Sequence, residues 1–370
     1  MQIDRRSFIA ALAASVAGTM APAGFARADE RLFVSSTNDA EGMSALTVFS
    51  VDGGTVFRTK LPARGHDIAV HPTLPDLAVF ARRPGDWTAV VNRRSGTVIT
   101  LIRSREHRHF FGHGMYSADG RLLYATENDL DSGQGVLGVY DVAKNYARVG
   151  EQPTHGIGPH DTTFLPDGKT IVVANGGAKT DPASGREILN KHSMEPSLSV
   201  FDAATGDLRH KIDFGSRLTG LSMRHLAVAP DGEVVFASQY EGDLDEMPPL
   251  VGTLTPDGKT RFLEIPDRDL ASLNSYLGAV QLDRSGRLIA ATSPRGGFVV
   301  FWDRESGRYL GRAPLPDVCG VAASPEKDGL FVVSSGNSGV RLADATRHDV
   351  AHVGGSDLYK FMWDNHIEMI

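Results

Sequence analysis

The chain has 370 residues, 41% hydrophobic and 22% charged, and a formal net charge of −7. This composition is that of a globular protein rather than a disordered chain, and a mildly acidic chain without Lys/Arg-rich runs lacks the basic surface of a nucleic-acid binder. Its single cysteine, Cys319, excludes an intramolecular disulfide and any multi-cysteine zinc or iron–sulfur site.

The N-terminal segment is predicted to be an export signal. The paired arginines Arg5 and Arg6 are followed by Ser-Phe, by an apolar run and by an AxA cleavage site that ends at Ala28. These are the parts of a secretory signal peptide, and the arginine pair resembles the twin-arginine motif; a general secretory signal that happens to contain two arginines is the alternative. We predict a twin-arginine signal peptide over residues 1–28, a single domain over residues 29–370, and a location in the periplasm. Beyond the signal no apolar stretch approaches 18 residues, so we expect no membrane span.

One pattern recurs along the rest of the chain: a short apolar strand, a turn built on Asp-Gly or a similar pair, a second strand, a polar loop, and two further strands. Its opening half reads PHDTTFLPDGKTIVVANGG from Pro159, for example. Six copies begin at Gly65, Gly112, Pro159, Arg224, Leu277 and Cys319. Short apolar runs joined by Gly, Asp and Pro turns are typical of β-hairpins, and four strands in a repeat of about 40–50 residues are typical of a propeller blade.

The two ends of the chain are predicted to form one further blade together. Residues 360–370 match a first strand, and residues 31–61 match strands two to four. Their pairing would satisfy the edge strands that an open ring leaves exposed. We therefore predict an all-β, seven-bladed β-propeller closed by its N- and C-terminal strands, with residues 177–197 as a long surface loop.

Histidine recurs at one aligned position of the first strands, which we call the ring position. This position holds His66, His113, His160, His225, Gly278, Gly320 and His366. Only 13 of the 370 residues are histidine, so five in seven equivalent positions is far above chance. First strands line the central channel of a propeller, where imidazole nitrogens about 2.0–2.1 Å from a shared centre form a transition-metal site. We predict that all five histidines, or four of them, bind one metal ion.

Other interpretations of the ring position stay open. A propeller channel is hydrated, so the histidines could be polar channel residues copied by duplication, or their side chains could point into the clefts between blades. Gly278 and Gly320 belong to adjacent blades, and the arc that they leave bare could provide an open coordination position for water, dioxygen or a substrate. Alternatively, glycine relieves crowding in a narrow channel.

Four carboxylates are candidates to orient the imidazoles, because ligating histidines usually donate their other N–H to a carboxylate or a carbonyl. Asp67 and Asp161 each follow a ring-position histidine directly. Glu127 and Glu241 lie in predicted loops between second and third strands. We predict these four as partners of the ligands, although each by itself is also typical of a turn or surface residue.

The twin-arginine start, the repeats and the strand openings GHD, GHG and PHD resemble bacterial periplasmic proteins of the family catalogued as domain of unknown function 1513. The resemblance covers essentially the whole mature chain and implies a propeller encoded near imelysin-like and cytochrome-like proteins linked to iron acquisition. It implies iron as the metal, with copper second, and other periplasmic iron-acquisition proteins as partners. The chain is similar in architecture only to the carotenoid-cleaving oxygenases, seven-bladed propellers that hold Fe(II) on the axis through four histidines. Because their large substrate-tunnel insertions are absent, their substrates are not implied.

These observations favour a periplasmic protein that binds iron or copper at a central histidine cluster for uptake, delivery or redox handling. One alternative is an enzyme, a non-haem metal oxidase or oxygenase that uses the open arc of the ring. The other is a metal-free scaffold that presents its loops to partner proteins. The sequence leaves open whether the chain is an enzyme.

Overall fold

The computed structural model describes residues 31–370, so the predicted signal peptide lies outside the described residues. Within them, 28 strands form seven antiparallel sheets of four strands each. This arrangement confirms the predicted seven-bladed β-propeller. No helix among residues 31–370 is both long and apolar enough to cross a lipid bilayer.

The blades are numbered from the first complete one. In chain order, β1 (Leu32–Asn38), β2 (Ser44–Ser50) and β3 (Gly54–Lys60) come first and belong to blade 7. Blade 1 contains β4 (Gly65–Val70), β5 (Asp76–Ala81), β6 (Trp87–Asn92) and β7 (Val98–Arg103), and blade 2 contains β8 (Arg108–Tyr116), β9 (Leu122–Asp129), β10 (Gly135–Asp141) and β11 (Ala147–Pro153). Blade 3 contains β12 (Pro159–Phe164), β13 (Thr170–Asn175), β14 (Ser197–Asp202) and β15 (Leu208–Asp213), and blade 4 contains β16 (Leu221–Val228), β17 (Val234–Tyr240), β18 (Val251–Leu254) and β19 (Thr260–Phe262). Blade 5 contains β20 (Ala279–Leu282), β21 (Leu288–Ser293), β22 (Phe298–Asp303) and β23 (Tyr309–Pro314), blade 6 contains β24 (Val318–Ala323), β25 (Leu330–Ser335), β26 (Gly339–Asp344) and β27 (Asp349–His352), and β28 (Met362–Met369) completes blade 7.

The ring is closed by the two ends of the chain, as predicted. The last strand, β28, pairs antiparallel with β1, from Phe33 opposite Met369 to Asn38 opposite Met362. Each innermost strand contacts the innermost strand of the next blade, and the contact between β28 and β4 completes the circle. The first strands therefore surround one central channel, which is where the ring position lies.

The hydrophobic core lies between the blades. Inner strands are buried on both faces, so they read as near-continuous apolar runs: all six residues of β5 are buried, whereas the outermost strand β11 is largely exposed. Neighbouring blades share each apolar cluster; Phe49 and Trp363 of blade 7 pack with Val332 of blade 6, for example. This packing fixes the angular position of every blade and therefore of the side chains that it sends toward the axis.

Among residues 31–370, helical structure is confined to the connections between strands. One α-helix, α1 (Asp267–Ser272), joins blades 4 and 5. The 3-10 helices are Val142–Lys144, Pro182–Ser184, Lys191–Ser193, Ser216–Leu218, Leu244–Glu246 and Ser356–Lys360. Two of them lie in the long connection between β13 and β14, so the predicted loop over residues 177–197 is confirmed.

Candidate metal centre

A β-bulge lies at or beside the ring position of every histidine-bearing strand. In β4 the register against β5 shifts between Gly65 and Ile68, and in β12 the register against β13 shifts between Pro159 and Asp161. Equivalent shifts occur in β8, β16 and β28. A bulge adds a residue to one strand and redirects its side chain, a device that is common near functional sites. The alternation of apolar residues gives no sign of these bulges, and the sequence analysis did not predict them.

The five histidines meet in the channel, as the sequence predicts. The ring of His113 lies 4.6 Å from that of His160, 4.7 Å from His366, 5.0 Å from His66 and 5.7 Å from His225, measured between centroids. His113 is 1% exposed, and even the most exposed of the five side chains, His366, is only 11% exposed. The imidazoles thus form one buried cluster and do not point into separate clefts between blades.

Two overlapping groups of three imidazoles have the spacing of metal ligands. One nitrogen from each of His66, His113 and His160 lies within 4.8 Å of the others, and the same holds for His113, His225 and His366. Nitrogens on opposite sides of one ion are about 4.2 Å apart, since each bond is about 2.1 Å long. The cluster could therefore hold a metal ion after shifts of less than about 1 Å.

Several of these nitrogens are buried without a hydrogen-bond partner. Both ring nitrogens of His113 and of His225, and Nε2 of His366, have none among the described residues. A buried polar atom left without a partner costs about 1–3 kcal/mol, so such atoms are rare in native proteins. A cation bound to the one lone pair of each neutral ring would remove the part of this cost that falls on those nitrogens, and the donor set therefore fits a metal ion.

One carboxylate orients His66 directly. Oδ1 of Asp364 lies 2.6 Å from Nδ1 of His66, and Asp364 also pairs with Arg64 and Arg82. Burial lowers the pKa of His66 well below its usual range in spite of this carboxylate. Sequence analysis missed Asp364, which stands two residues before His366 in the terminal strand. The bulge in β28 spans both residues, so regular strand alternation does not predict where the two side chains point.

Asp67 and Asp161 lie beside the imidazoles, where they were expected. Each places one oxygen 3.5 Å from Nδ1 of His113, and Asp67 lies 3.7 Å from Nδ1 of His366. Burial by itself would lower the pKa of His113, but the charges of Asp161 and Asp67 outweigh it and raise that pKa to about 9. The two carboxylates thus favour positive charge at the centre of the cluster.

The remaining imidazoles are held in their neutral form. Burial, followed by repulsion from neighbouring imidazoles, lowers the pKa of His160 and of His225 well below the usual range, and it also lowers the pKa of His366. Metal ions bind the neutral imidazole, because its lone pair is free. The burial that the propeller imposes therefore prepares these three rings for coordination.

His160 has a protein partner that distinguishes it from the others. Nη1 of Arg224 donates to Nδ1 of His160 over 3.3 Å, and Nη2 of Arg224 donates to Glu241 over 3.2 Å. Glu241 therefore reaches the cluster only through Arg224, which sequence analysis did not predict. Since an arginine is always the donor, Nδ1 of His160 is the acceptor, and the neutral ring carries its hydrogen on Nε2.

Glu127, by contrast, lies away from the imidazoles. Its carboxylate is buried within blade 2, where it accepts hydrogen bonds from the Tyr140 hydroxyl at 2.6 Å and from Arg148 at 2.9 Å. The prediction placed it in a loop, but β9 extends to Asp129, so Glu127 is a strand residue whose side chain faces the neighbouring strand β10. Its role is that of a buried ion pair.

Neighbouring groups pack closely around the two glycines at the ring position. A Cβ atom on Gly320 would lie 2.8 Å from Cγ1 of Ile367 and from Oγ of Ser334, and one on Gly278 would lie 2.9 Å from the ring of Pro294. Such distances are too short for real Cβ contacts. These contacts favour the alternative in which glycine relieves crowding, since a residue without a Cβ lets the neighbouring side chains pack closely.

An acidic cavity opens on one side of the cluster. It has a volume of about 390 Å³, and its walls include His225, His366, Asp67, Asp161 and Glu368. Burial, together with the charges of Asp67 and Asp161, raises the pKa of Glu368 well above its usual range. We call this cavity the acidic mouth. Two of the imidazoles are reached from it.

Comparison with known proteins supports the fold and gives the family. The chain is similar to the structure titled Kuenenia stuttgartiensis Hydrazine Synthase, with a TM-score of 0.63 and 16% identity over 88% of this chain and 99% of that one. The fold is widespread, since 1337 chains of solved structures match. At 16% identity this likeness therefore shows the fold alone. No curated protein sequence matches significantly. The family described as "Protein of unknown function (DUF1513)" matches residues 59–370, the greater part of the chain, and the protein therefore belongs to that family.

Proposed function

We propose that this protein is a periplasmic transition-metal-binding propeller that holds one ion on its axis. The observation that carries the proposal is the set of buried imidazole nitrogens in His113, His225 and His366 that have no partner among residues 31–370. Five buried rings, each with its centroid 4.6–6.1 Å from those of at least three others, would cost free energy if nothing occupied their centre. A bound cation repays that cost.

The ligand set that the contacts favour has four members. His113, His225 and His366 form the group whose nitrogens lack partners. His66 has ligand spacing to His113 in the other group, and its Nδ1 donates to Asp364, which leaves Nε2 free, so we propose it as the fourth member. His160 is the least suited, since its Nδ1 accepts from Arg224 and its Nε2 bears the hydrogen. Among the two possibilities that the sequence leaves open, four ligands are thus preferred to five.

The chemistry of the ligands limits the metal. A site of neutral imidazoles without thiolate suits iron, copper, zinc or nickel. The family is one that we expect to be encoded near periplasmic proteins linked to iron acquisition, which favours iron, with copper second, and other periplasmic iron-acquisition proteins as partners. The metal would be either a cargo that the protein carries or a centre that changes oxidation state. Uptake, delivery and redox handling are therefore the roles proposed.

The acidic mouth provides a route for the ion. Asp67 and Asp161 line it together with the rings of His225 and His366, while the raised pKa of Glu368 favours its neutral form. A cavity lined by one sign of charge raises the local concentration of the opposite ion. The oxidase alternative has less support, because Ile367, Ser334 and Pro294 pack close to the positions that Cβ atoms on Gly320 and Gly278 would take.

The test is the metal content of mature protein purified after export through its own signal. We expect about one equivalent of iron or copper per chain, with most of it lost in His113→Gln and in His225→Gln. His107→Gln is the matched control, because His107 is exposed and pairs only with surface carboxylates. In the native protein, a chelator should lower the melting temperature, since a bound ion stabilises the folded state by mass action.

The metal content of the same preparation also distinguishes four ligands from five and the metal-binding protein from the metal-free scaffold. Retention of metal in His160→Gln supports four ligands, whereas its loss supports five. Equal metal content in His113→Gln and His107→Gln, or a chelator without effect on melting, would favour the metal-free scaffold.

Export is tested separately. Replacement of Arg5 and Arg6 by lysine should leave the precursor in the cytoplasm, because the twin-arginine pathway reads that pair. Unchanged export of the double variant would point to the general secretory route.

A further inference from the structure

A second cavity lies on the opposite side of the imidazole cluster, and arginines line it. The residues of the innermost strands that line it, such as Arg224, Cys319 and Asn365, precede the ring position, whereas those of the acidic mouth follow it. Its volume is about 540 Å³. Six arginines reach it from separate parts of the chain, namely Arg64, Arg82, Arg83, Arg186, Arg224 and Arg295. We call this space the arginine cavity.

Half of these arginines have carboxylate partners. Asp364 pairs with Arg64 and Arg82, and Glu241 pairs with Arg224. Six arginines thus face three carboxylates, since Asp317 also lines the cavity and the single carboxylate of Asp364 serves two guanidinium groups and the His66 ring.

The other three arginines of the cavity have no carboxylate partner among the described residues. Arg83, Arg186 and Arg295 form no ion pair with any side chain of residues 31–370, and two of them rest on aromatic rings instead: Arg83 on Phe111 at 5.1 Å and Arg295 on Tyr276 at 4.3 Å. A cation over an aromatic face gains part of the energy of an ion pair but does not neutralise the charge. The cavity therefore carries an excess of positive charge.

Two guanidinium groups also have unused donors. Nη1 of Arg83 and Nε of Arg224 are buried without a hydrogen-bond partner, and the Arg224 side chain is only 3% exposed. Burial first, and then the charges of Arg224 and Arg186, lower the pKa of Arg83 to about 9. Arginine keeps its proton in proteins, so this direction reports a charge that lacks compensation.

We propose that the arginine cavity binds a small oxyanion with at least two negative charges, a polycarboxylate or a phosphate. Guanidinium groups bind both through paired N–H donors, and several of them converging on one cavity match a ligand with several oxygens. A volume of about 540 Å³ is in the range of small-ligand sites. This cavity adjoins the proposed metal centre, because Arg224 donates to His160, but anion binding in it does not require a bound metal.

The test is calorimetry on the metal-free mature chain, with citrate and phosphate as probes and acetate at matched ionic strength as the monovalent control. We expect saturable binding, one anion per chain, for citrate, for phosphate or for both, and weaker or no binding of acetate. Binding of citrate but not phosphate would identify a polycarboxylate site, and binding of phosphate but not citrate would identify a phosphate site. Equal responses to all three anions would overturn the proposal, since they would reflect ionic strength only.

Two variants locate the site. Arg186→Ala removes an exposed loop side chain and should weaken binding about tenfold or more without affecting folding. Arg83→Gln should weaken binding similarly and raise the melting temperature of the anion-free chain, because it removes an uncompensated buried charge; a purely structural arginine would give the reverse. Arg347→Ala, which changes the net charge equally at an exposed and ion-paired position, should bind as the native chain does. Unchanged affinity in both cavity variants would overturn the assignment.

Discussion

Nδ1 of His66 and Oδ1 of Asp364 lie 2.6 Å apart although 298 residues separate them in the chain. The contact joins blade 1 to the terminal strand of blade 7, so it exists only when the ring is closed. It also sets the chemistry of His66. Because Nδ1–H donates to the carboxylate, Nε2 keeps its lone pair. The hydrogen bond to Asp364 also fixes the orientation of the ring, and therefore the direction in which Nε2 points.

Asp364→Asn is predicted to weaken metal binding by about 10–100-fold, the usual effect of removing a group that orients a ligand. The amide also removes the negative charge that Arg64 and Arg82 share. Competition with a chromogenic chelator measures the affinity of the variant, and thermal unfolding of the metal-free form measures its stability.

Glu127→Gln is the matched control for that experiment. Glu127 is likewise buried and paired with arginine, but its partners are Arg148 and Tyr140 of blade 2. Its replacement should lower stability and leave the affinity for metal unchanged. If both variants lose affinity in proportion to lost stability, Asp364 has only a structural role.

The sequence predicts the fold and the ring of histidines because both follow from repetition. Seven copies align without any knowledge of side-chain direction, and equivalent positions on first strands must surround the axis. Asp364 and Arg224 are different, since neither recurs in the other repeats and each acts across blades. Their contacts with His66 and His160 depend on bulges and on ring closure, which periodicity does not encode.

Glu127 is a residue that the sequence predicts at the site and the structure places elsewhere. A carboxylate near the end of a predicted strand was assigned to a loop on the channel side. Strand β9 continues two residues beyond Glu127, to Asp129. Strand alternation therefore decides which way the Glu127 side chain points.

Trp363→Ala is predicted to destabilise the protein by about 3–5 kcal/mol, because it empties a site in the strand that closes the ring. Trp363 is 1% exposed, its ring lies 4.8 Å from that of Phe49, and its Nε1 donates to the Leu358 carbonyl. Met369→Ala on the same strand is the control, since Met369 is 50% exposed and its loss should cost less than about 0.5 kcal/mol. Urea unfolding of the metal-free chain measures both; equal effects would mean that β28 is not packed as described.

Acid should weaken the fold partly through Asp303. Hydrogen bonds from Ser306, first its backbone N–H and also its hydroxyl, together with Arg287, lower the pKa of Asp303 to about 2. A carboxyl group whose pKa is lower in the folded state stabilises the fold above its unfolded pKa of about 3.9, and this contribution is lost as the pH falls toward 2. The shift corresponds to about 2 kcal/mol.

The measurement is the free energy of unfolding of the metal-free chain between pH 5 and pH 2.5. Asp303→Asn should flatten its decline with falling pH, and Ser306→Ala, which removes only the hydroxyl donor, should flatten it partially. A decline as steep in Asp303→Asn as in the native chain would rule out this carboxyl as a contributor.

Gly320→Ala distinguishes a packed arc from an open one. The added methyl group would lie 2.8 Å from Cγ1 of Ile367 and 3.3 Å from the Asn365 carbonyl carbon, so neighbours must move, and overpacking of this kind costs about 1–3 kcal/mol. Gly150→Ala is the control, because a Cβ there meets nothing within 4 Å. Since Ile367 directly follows His366, displacement of β28 by the new methyl group should also weaken metal binding. A Gly320→Ala protein that folds as stably as Gly150→Ala would show that the arc has room after all, and an open coordination position would again be a competitive interpretation of the ring.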